Sequence, residues 1–569
     1  MTEDRRNFVL FAVIAALILF GWPPIQEYFF PTARPPVTKI ENGKSVPLPQ
    51  PKADPTADAP AAVRDRALVL AESPRVRIDT PRLQGSINLQ GARIDDLVLV
   101  RHKESIARGS APIRLLSPAG TRDSQFAAFG WRGQGLAPPA PTARWTASGG
   151  VLAPGRPVTL TAPGGNGQLY RIQLAVDDGY MFTVRQTVAN AGPRPVSVAA
   201  TGLVNRDAPA VDNDTWTIHV GPMSVHNDQA DYDTNYDDLA EDGPQRFSTK
   251  GGWLGFSDLY WLTALVPDQG ATVDGQLRAG RPGTYQADFI TQPRALEPGR
   301  AVTQTSRFFA GAKEVELLDR YTDREGISKF DRAIDWGWFR EIMRPIFTYL
   351  HWLFELVGNF GVAIILLTVT VRLLVFPIAQ RQFASAAAMR RLQPKMKALQ
   401  DRYKDDKVKL QQEVMGLYRT EKVNPFAGCL PALLQIPIFY ALYKVLMLTI
   451  EMRHQPFVGW IKDLSAPDPL TPVNLFGLLP FTPPAFIGIG VIPILLGVSM
   501  YFQFKLNPQP MDEAQAQVFK ILPWVLMFVM APFAVGLQLY WITSNILGIV
   551  QQRLLYARHP EMVGALAKT

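Results

Sequence analysis

Cysteine is all but missing: Cys429 is the only one in 569 residues. Neither a disulfide framework nor a cysteine-based metal site can form within one chain. Histidine is scarce too, and the six (102, 219, 226, 351, 454 and 559) are too scattered to suggest a ligand set. Charged residues reach only 19% against 47% apolar. The shortage is uneven: the middle reads as a soluble protein, while the last 210 residues are dominated by apolar stretches. The chain carries no glycine-rich phosphate-cradling motif, and no pair of carboxylates singles itself out for acid–base work. Nucleotide-driven chemistry and hydrolysis find no support. The chain is read as a non-enzyme that needs neither cofactor nor metal.

What is present is positive charge and apolar length. The formal net charge is +8, an excess that suits nucleic acid, a ribosome or an anionic lipid surface, its placement deciding among them. The length exceeds one ordinary domain. Arg5 and Arg6 precede an apolar run from Phe8 to Trp22. Pro23, Pro24 and Ile25 then stand where a cleavable signal would carry small residues. Residues 1–25 are therefore expected to form an uncleaved signal anchor with its N-terminus in the cytoplasm; a cleaved signal is the alternative. Residues 26–73 read as a linker, because 31–60 hold eight prolines and little apolar content.

From Pro74 the pattern turns to period two. Val76 and Ile78, then Ile87 and Leu89, alternate with polar neighbours. Ile172, Leu174 and Val176 run into Asp178–Gly179, and Phe182, Val184 and Val188 run out, a β-hairpin signal. Residues 74–325 are expected to form one β-sandwich outside the membrane, on the side opposite Arg5 and Arg6. The acidic stretch from Asp228 to Asp242 fits a calcium loop poorly, with Tyr236 where the turn wants glycine and Asp242 where glutamate is needed. It reads as a solvated loop. Trp253, Tyr260 and Trp261 read as core aromatics rather than a ligand cleft. Across 326–358 the period becomes helical, with Trp336, Trp338, Phe339, Trp352 and Phe354 among Arg332, Asp335, Arg340 and Arg344. That mixture suits a helix lying in the membrane interface.

Four apolar stretches follow, at 360–379, 426–449, 487–504 and 521–552. Each of the first three is long enough for one span of a ~30 Å hydrocarbon layer. The fourth has 32 residues without a charge, interrupted at its centre by Pro532 to Gly536. Lys505 and Lys520 precede it, while Arg553, Arg558 and Lys568 follow. Both ends then favour the cytoplasm, and the stretch must double back as two short spans. Six spans return the C-terminal tail, 557–569, to the cytoplasm. Between the second and third spans, residues 381–422 hold eleven Lys or Arg against five Asp or Glu. Met389, Leu392, Met396, Leu399 and Tyr403, then Leu410, Val414 and Leu417, recur at helical spacing around Asp405 and Asp406. A helical hairpin on the cytoplasmic face is expected. Its charge serves as an anchor or as a docking surface.

Arg372 lies inside the second span, ~13 Å along a helix before Arg381. An arginine at such depth costs roughly 2.5–3.5 kcal/mol on insertion scales and is normally paired. No span contains Asp or Glu. Water in a groove, or snorkelling to the inner surface, is left to satisfy the charge. Thr368 sits one turn before it, and Gln435 lies in the third span. Gln538, Trp541 and Asn545 share a face of the last span, with Ser544 beside it. Such groups also serve as interhelical hydrogen-bond glue; together with the arginine they favour a hydrophilic groove. The missing carboxylates argue against a proton-coupled pump.

The runs GNFGVAIILLTVTVRLLVFP and MRRLQPKMKALQDRYKDDKVKLQQEVMGLYRTEKVNPFAGCLPALLQIPIFYALY strongly resemble the bacterial YidC membrane protein insertases. So do DLSAPDPL and GLQLYWITSNILGIVQQ, and together the matches cover 340–556 almost continuously. LQGSINLQGARIDDLVL and the GWLGF…LYWLTALVP stretch resemble the large periplasmic domain of the Gram-negative branch. The resemblance implies a multi-pass α-helical protein of the inner membrane with six spans and a periplasmic all-β supersandwich. It implies a five-span core, 359–556, shared with the Oxa family, around a groove open to the cytoplasm and to lipid. Arg372 matches the groove arginine, and Thr368 and Gln435 match polar positions near it. Tyr540 and Trp541 match an aromatic pair whose second member is often tyrosine, so the second phenolic hydroxyl is lost here. The implied task is to insert nascent membrane proteins and help them fold. The implied partners are those clients, the Sec translocon, translating ribosomes and the lipid bilayer, with no sequence-specific nucleic acid. A transporter or channel would instead favour inverted repeats and a path through both leaflets, and neither is seen.

Overall fold

Strand alternation, with every second residue buried, dominates the N-terminal part of the chain. The computed structural model describes residues 38–41, 44–47, 63–208, 218–281, 283–337, 339–403, 406–421, 430–476, 478–479, 488–506 and 513–558. The expected N-terminal anchor, most of the linker and nearly all of the C-terminal tail lie outside them. The chain divides into two units. One comprises Pro55–Thr348 with Ala441–Pro456; the other comprises Met1–Asp54, Tyr349–Tyr440 and Phe457–Thr569.

The first unit is a β-sandwich of a nine-stranded and an eleven-stranded sheet. Met181–Asn190 runs antiparallel between Gln168–Val176 and Ala301–Ala312 in the nine-stranded sheet. Val196–Asp207 runs likewise between Gln125–Arg132 and Thr284–Thr291 in the other. The expected hairpin forms, with Leu174 opposite Val184 and Val176 opposite Phe182. Between the sheets, Phe129 meets Phe308 and Phe308 meets Phe182. Two buried glutamines tie one sheet to the other, Gln125 Nε2 donating to Thr263 Oγ1 at 2.6 Å and Gln186 Nε2 to the Gly130 carbonyl at 2.7 Å. Through these donated bonds the two amides help fix how the layers face each other.

Three helices accompany the sheets: α1 (Arg66–Ala71), α2 (Tyr236–Glu241) and α3 (Val315–Asp323). The second corrects the reading of the acidic stretch as a loop. Asn235 and Asp238 form a reciprocal capping box there, which turns the run into a short helix. Tyr236 is buried beside Tyr285. Trp253 belongs to the core as expected, whereas Tyr260 and Trp261 are only half-buried.

The helical reading of 326–358 needs correction at its start. A 3-10 turn over Phe330–Ala333 and an extended stretch come first, and the α-helix is α4 (Arg340–Val357). Trp336 turns inward against Phe347, and Arg340 and Arg344 pair with Asp331. Phe339, Ile342, Trp352 and Leu356 are exposed.

The other helices among the described residues are α5 (Phe360–Arg402), α6 (Lys407–Thr420), α7 (Leu430–Leu448), α8 (Val491–Leu506), α9 (Glu513–Met530) and α10 (Val535–Arg558). At 43 residues α5 runs on through Pro377 and Pro394, so the first arm of the expected charged hairpin continues the apolar helix. It meets α6 across a turn, where Lys395 pairs with Glu421 at 2.6 Å. The long uncharged stretch is broken between Met530 and Val535, giving α9 and α10. Among the described residues, Phe360–Ile378 alone is both long and apolar enough to cross a membrane by itself; Gln435–Leu448, Val491–Leu506 and Gln517–Met530 are shorter apolar helices. Helix α10 packs on α8 and α5, and α8 on α9.

Candidate functional site

On α5, Thr368 and Arg372 are one turn apart, but their side chains do different work. Thr368 is fully buried, and its hydroxyl donates back to the Ile364 carbonyl at 2.7 Å. Arg372 is half-buried and reaches α10. Its Nε and Nη2 donate to Ser544 Oγ at 3.1 and 2.7 Å, and Nη2 also donates to the Ser544 carbonyl at 2.8 Å. No Asp or Glu pairs with it among the described residues, and Nη1 has no hydrogen bond there. Water is therefore not its sole partner, as the sequence suggests, because one serine holds one edge of the guanidinium. Among the described residues the other edge has no partner.

A second polar contact joins α7 to the same face of α10. Gln435 Nε2 donates to Tyr540 Oη at 2.6 Å, four residues before Ser544. Trp541 turns to α7 differently, packing edge-on against Phe439 with centroids 5.1 Å apart. The missing second phenol is thus replaced by ring packing, while Tyr540 keeps a hydroxyl contact. One turn after Ser544 comes Gly548. A methyl added there would lie 3.0 Å from Gln503 Oε1 and 3.5 Å from Arg372 Nη2. Gln503 Oε1 is buried without a partner among the described residues. Glycine keeps this corner open beside the guanidinium.

Two residues grouped by sequence spacing lie elsewhere. Gln538 is fully buried, and its amide donates to the Met530 and Phe533 carbonyls at 2.9 Å each, tying the turn between α9 and α10. Asn545 donates to Ser499 Oγ on α8 at 3.0 Å. The stripe that meets α5 and α7 is Tyr540, Ser544 and Gly548, at intervals of four. Gln503 and Gly548 escaped sequence reasoning, since an amide and a glycine in a helix carry no strong signal. Lys444 escaped too, although a lysine inside an apolar run is as conspicuous as Arg372. It is buried on α7 and donates to the Asp335 carbonyl at 3.4 Å.

The motif DLSAPDPL holds helix ends in place. Asp468 accepts from the backbone N–H of Ile492 at 2.8 Å in the first turn of α8, and from Trp460 Nε1 at 3.0 Å. The carbonyls of Ala466 and Leu464 accept from Val535 and Gly536, both at 2.9 Å, at the start of α10. Helix N-termini leave such N–H groups without intrahelical partners, and this connection supplies them.

Among the described residues, apolar helices that carry an arginine with no carboxylate partner, together with buried amides, in a chain that also holds a β-sandwich, suit a membrane protein with a large domain outside the bilayer. The family described as 60Kd inner membrane protein matches residues 352–562, and the family described as YidC periplasmic domain matches 75–349. The membrane protein insertase YidC of Zymomonas mobilis subsp. mobilis is 47% identical over 560 residues, covering 98% of this chain and 96% of its own. That of Beijerinckia indica subsp. indica is 43% identical over 589 residues, with the same coverage of 98% and 96%. A crystal structure of an active YidC insertase with its first transmembrane domain resolved covers 95% of this chain and 99% of its own, at 17% identity and a TM-score of 0.38. The chain belongs to the YidC family of membrane protein insertases. These are inner membrane proteins with a periplasmic domain, and the family is not one of enzymes.

The Gln435–Tyr540 bond gives a direct test of how the polar contacts hold the helices. Gln435→Leu and Tyr540→Phe should each destabilise the detergent-solubilised protein, with a coupling of about 0.6 kcal/mol and no more than about 1.7. A double-mutant cycle by reversible unfolding measures it. Strict additivity would mean that the two side chains do not hold each other.

Proposed function

We propose that this chain inserts nascent membrane proteins into the inner membrane and helps them fold, through a hydrophilic groove lined by Arg372, Gln435, Tyr540 and Trp541, with Thr368, Gln538 and Asn545 buried in the packing of the surrounding helices. The observation that carries the reading is the Arg372 guanidinium, half-buried, held on one edge by Ser544 and free of any carboxylate among the described residues. A hydrophilic tail cannot cross ~30 Å of hydrocarbon unaided. A groove open to the cytoplasm and to lipid solvates the tail part of the way, and a fixed positive charge attracts its acidic side chains. The apolar segment then moves along α10 into lipid, driven by its own transfer free energy. No covalent step is required.

In this reading there are six spans, with both termini in the cytoplasm and the β domain in the periplasm. The core of five spans covers 359–556, the hairpin at 381–422 is cytoplasmic, and 326–358 lies at the membrane interface. The Sec translocon and the translating ribosome are the proposed partners, the ribosome meeting the basic hairpin. Pro532, exposed at the turn between α9 and α10, tests the orientation. Pro532→Cys in a Cys429→Ser background should react with a membrane-impermeant thiol reagent added from the periplasm only. Labelling from the cytoplasm instead would reverse the hairpin and remove the six-span arrangement.

The groove charge is tested by its clients. Arg372→Lys should retain most insertion, whereas Arg372→Ala should selectively impair clients whose translocated tails carry Asp or Glu. A charge pair at an effective dielectric of about 20 is worth up to about 4 kcal/mol before desolvation, so the net loss should be smaller, on the order of tenfold per tail acid. Insertion yields for tails with zero, one and two acids, at matched protein levels, measure it. A snorkelling arginine has a different signature: all clients would insert equally well into the alanine variant.

A further inference from the structure

Three polar side chains along Lys444–Arg453 each end on a different part of the β unit, to which Ala441–Pro456 belongs. Lys444 reaches the Asp335 carbonyl at 3.4 Å. Glu451 Oε1 accepts the backbone N–H of Val315 at 2.8 Å, at the first residue of α3. That helix receives no side-chain cap from its own N-cap residue, Glu314, whose carboxylate is taken by Tyr180 and Arg82. Arg453 donates to the carbonyls of Lys103 and Glu104 at 2.8 and 3.2 Å. Its guanidinium also lies over both Tyr260 and Trp261, 5.6 and 5.5 Å from the ring centroids. Between these points Ile450 and Met452 are buried.

Each contact suits its partner chemically. A planar guanidinium can lie flat on aromatic rings while its fixed fork donates to two carbonyls, a geometry that the compact ammonium of lysine does not reproduce. A carboxyl at a helix N-terminus satisfies an orphan N–H and opposes the helix dipole. Burial, reinforced by Glu314 and Glu316, pushes the Glu451 carboxyl up to about 7, as expected for a group enclosed by its seat. The half-buried Tyr260 and Trp261 thus have a function that neither core packing nor a small-molecule cleft describes. We propose that the Tyr260–Trp261 shelf and the N-terminus of α3 form a socket for this chain's own segment Ile450–Arg453, seating the connection that follows α7 on the β domain.

Hydrogen exchange of the full-length protein in detergent, read by mass spectrometry, tests the seat. Arg453→Ala and Glu451→Ala should each speed exchange about tenfold, both in residues 449–454 and in the first turn of α3, as loss of a desolvated cation–π contact or a cap implies. The sandwich strand Met181–Asn190 should stay as slow as in the wild type. Arg453→Lys should recover little of the protection. Unchanged exchange in Arg453→Ala, full rescue by lysine, or acceleration that spreads evenly into Met181–Asn190 would each overturn the proposal. The last outcome would mark a general loss of stability instead of a local socket.

Discussion

A guanidinium set in an apolar helix must be given hydrogen bonds or water, and the helical unit is arranged around that demand. Ser544 answers it on one edge of Arg372, with both its hydroxyl and its backbone carbonyl. Tyr540, one turn earlier on α10, takes the amide of Gln435 from α7. Gly548, one turn later, keeps the space beside Arg372 and Gln503 clear. Three successive positions on one stripe of α10 therefore bind α5, bind α7 and leave room. With no carboxylate paired to it among the described residues, the charge is left for whatever enters the proposed groove.

The holding of that stripe falls to less conspicuous residues. Gln538 ties the turn before α10, Asn545 bonds α8, and the connection around Asp463 to Asp468 caps the N-termini of α8 and α10. These contacts fix the direction from which Tyr540 and Ser544 are presented. Hydrogen bonds between buried polar groups are directional, so they restrict how α10 can be placed against its neighbours.

Much of this is legible in the amino-acid sequence itself. Period-two alternation gave the hairpin around Asp178, because alternate apolar residues mark one buried face on each strand. The unpaired position of Arg372 was legible from composition alone, since no apolar stretch holds an acid. Which α10 residues meet it was not. Spacings of three and four select several overlapping stripes on one helix, and only tertiary packing distinguishes Gln538–Trp541–Asn545 from Tyr540–Ser544–Gly548. The helix at Tyr236 was hidden for another reason: acidic residues at helix starts look like a solvated loop until the cap is seen. Lys444 and Arg453 were overlooked because their partners are backbone carbonyls, which leave no trace in side-chain patterns.

The central claim is that the chain itself moves the hydrophilic tail of a short single-span client across the bilayer by solvation and charge, without nucleotide. Purified protein in liposomes, given a short single-span client with one acidic residue in its tail, tests this most directly. Protease protection of the client tail inside the vesicles, dependent on this protein and independent of added nucleotide, is the expected result. A tail that stays outside, in vesicles where the protein is folded and correctly oriented, would contradict the account.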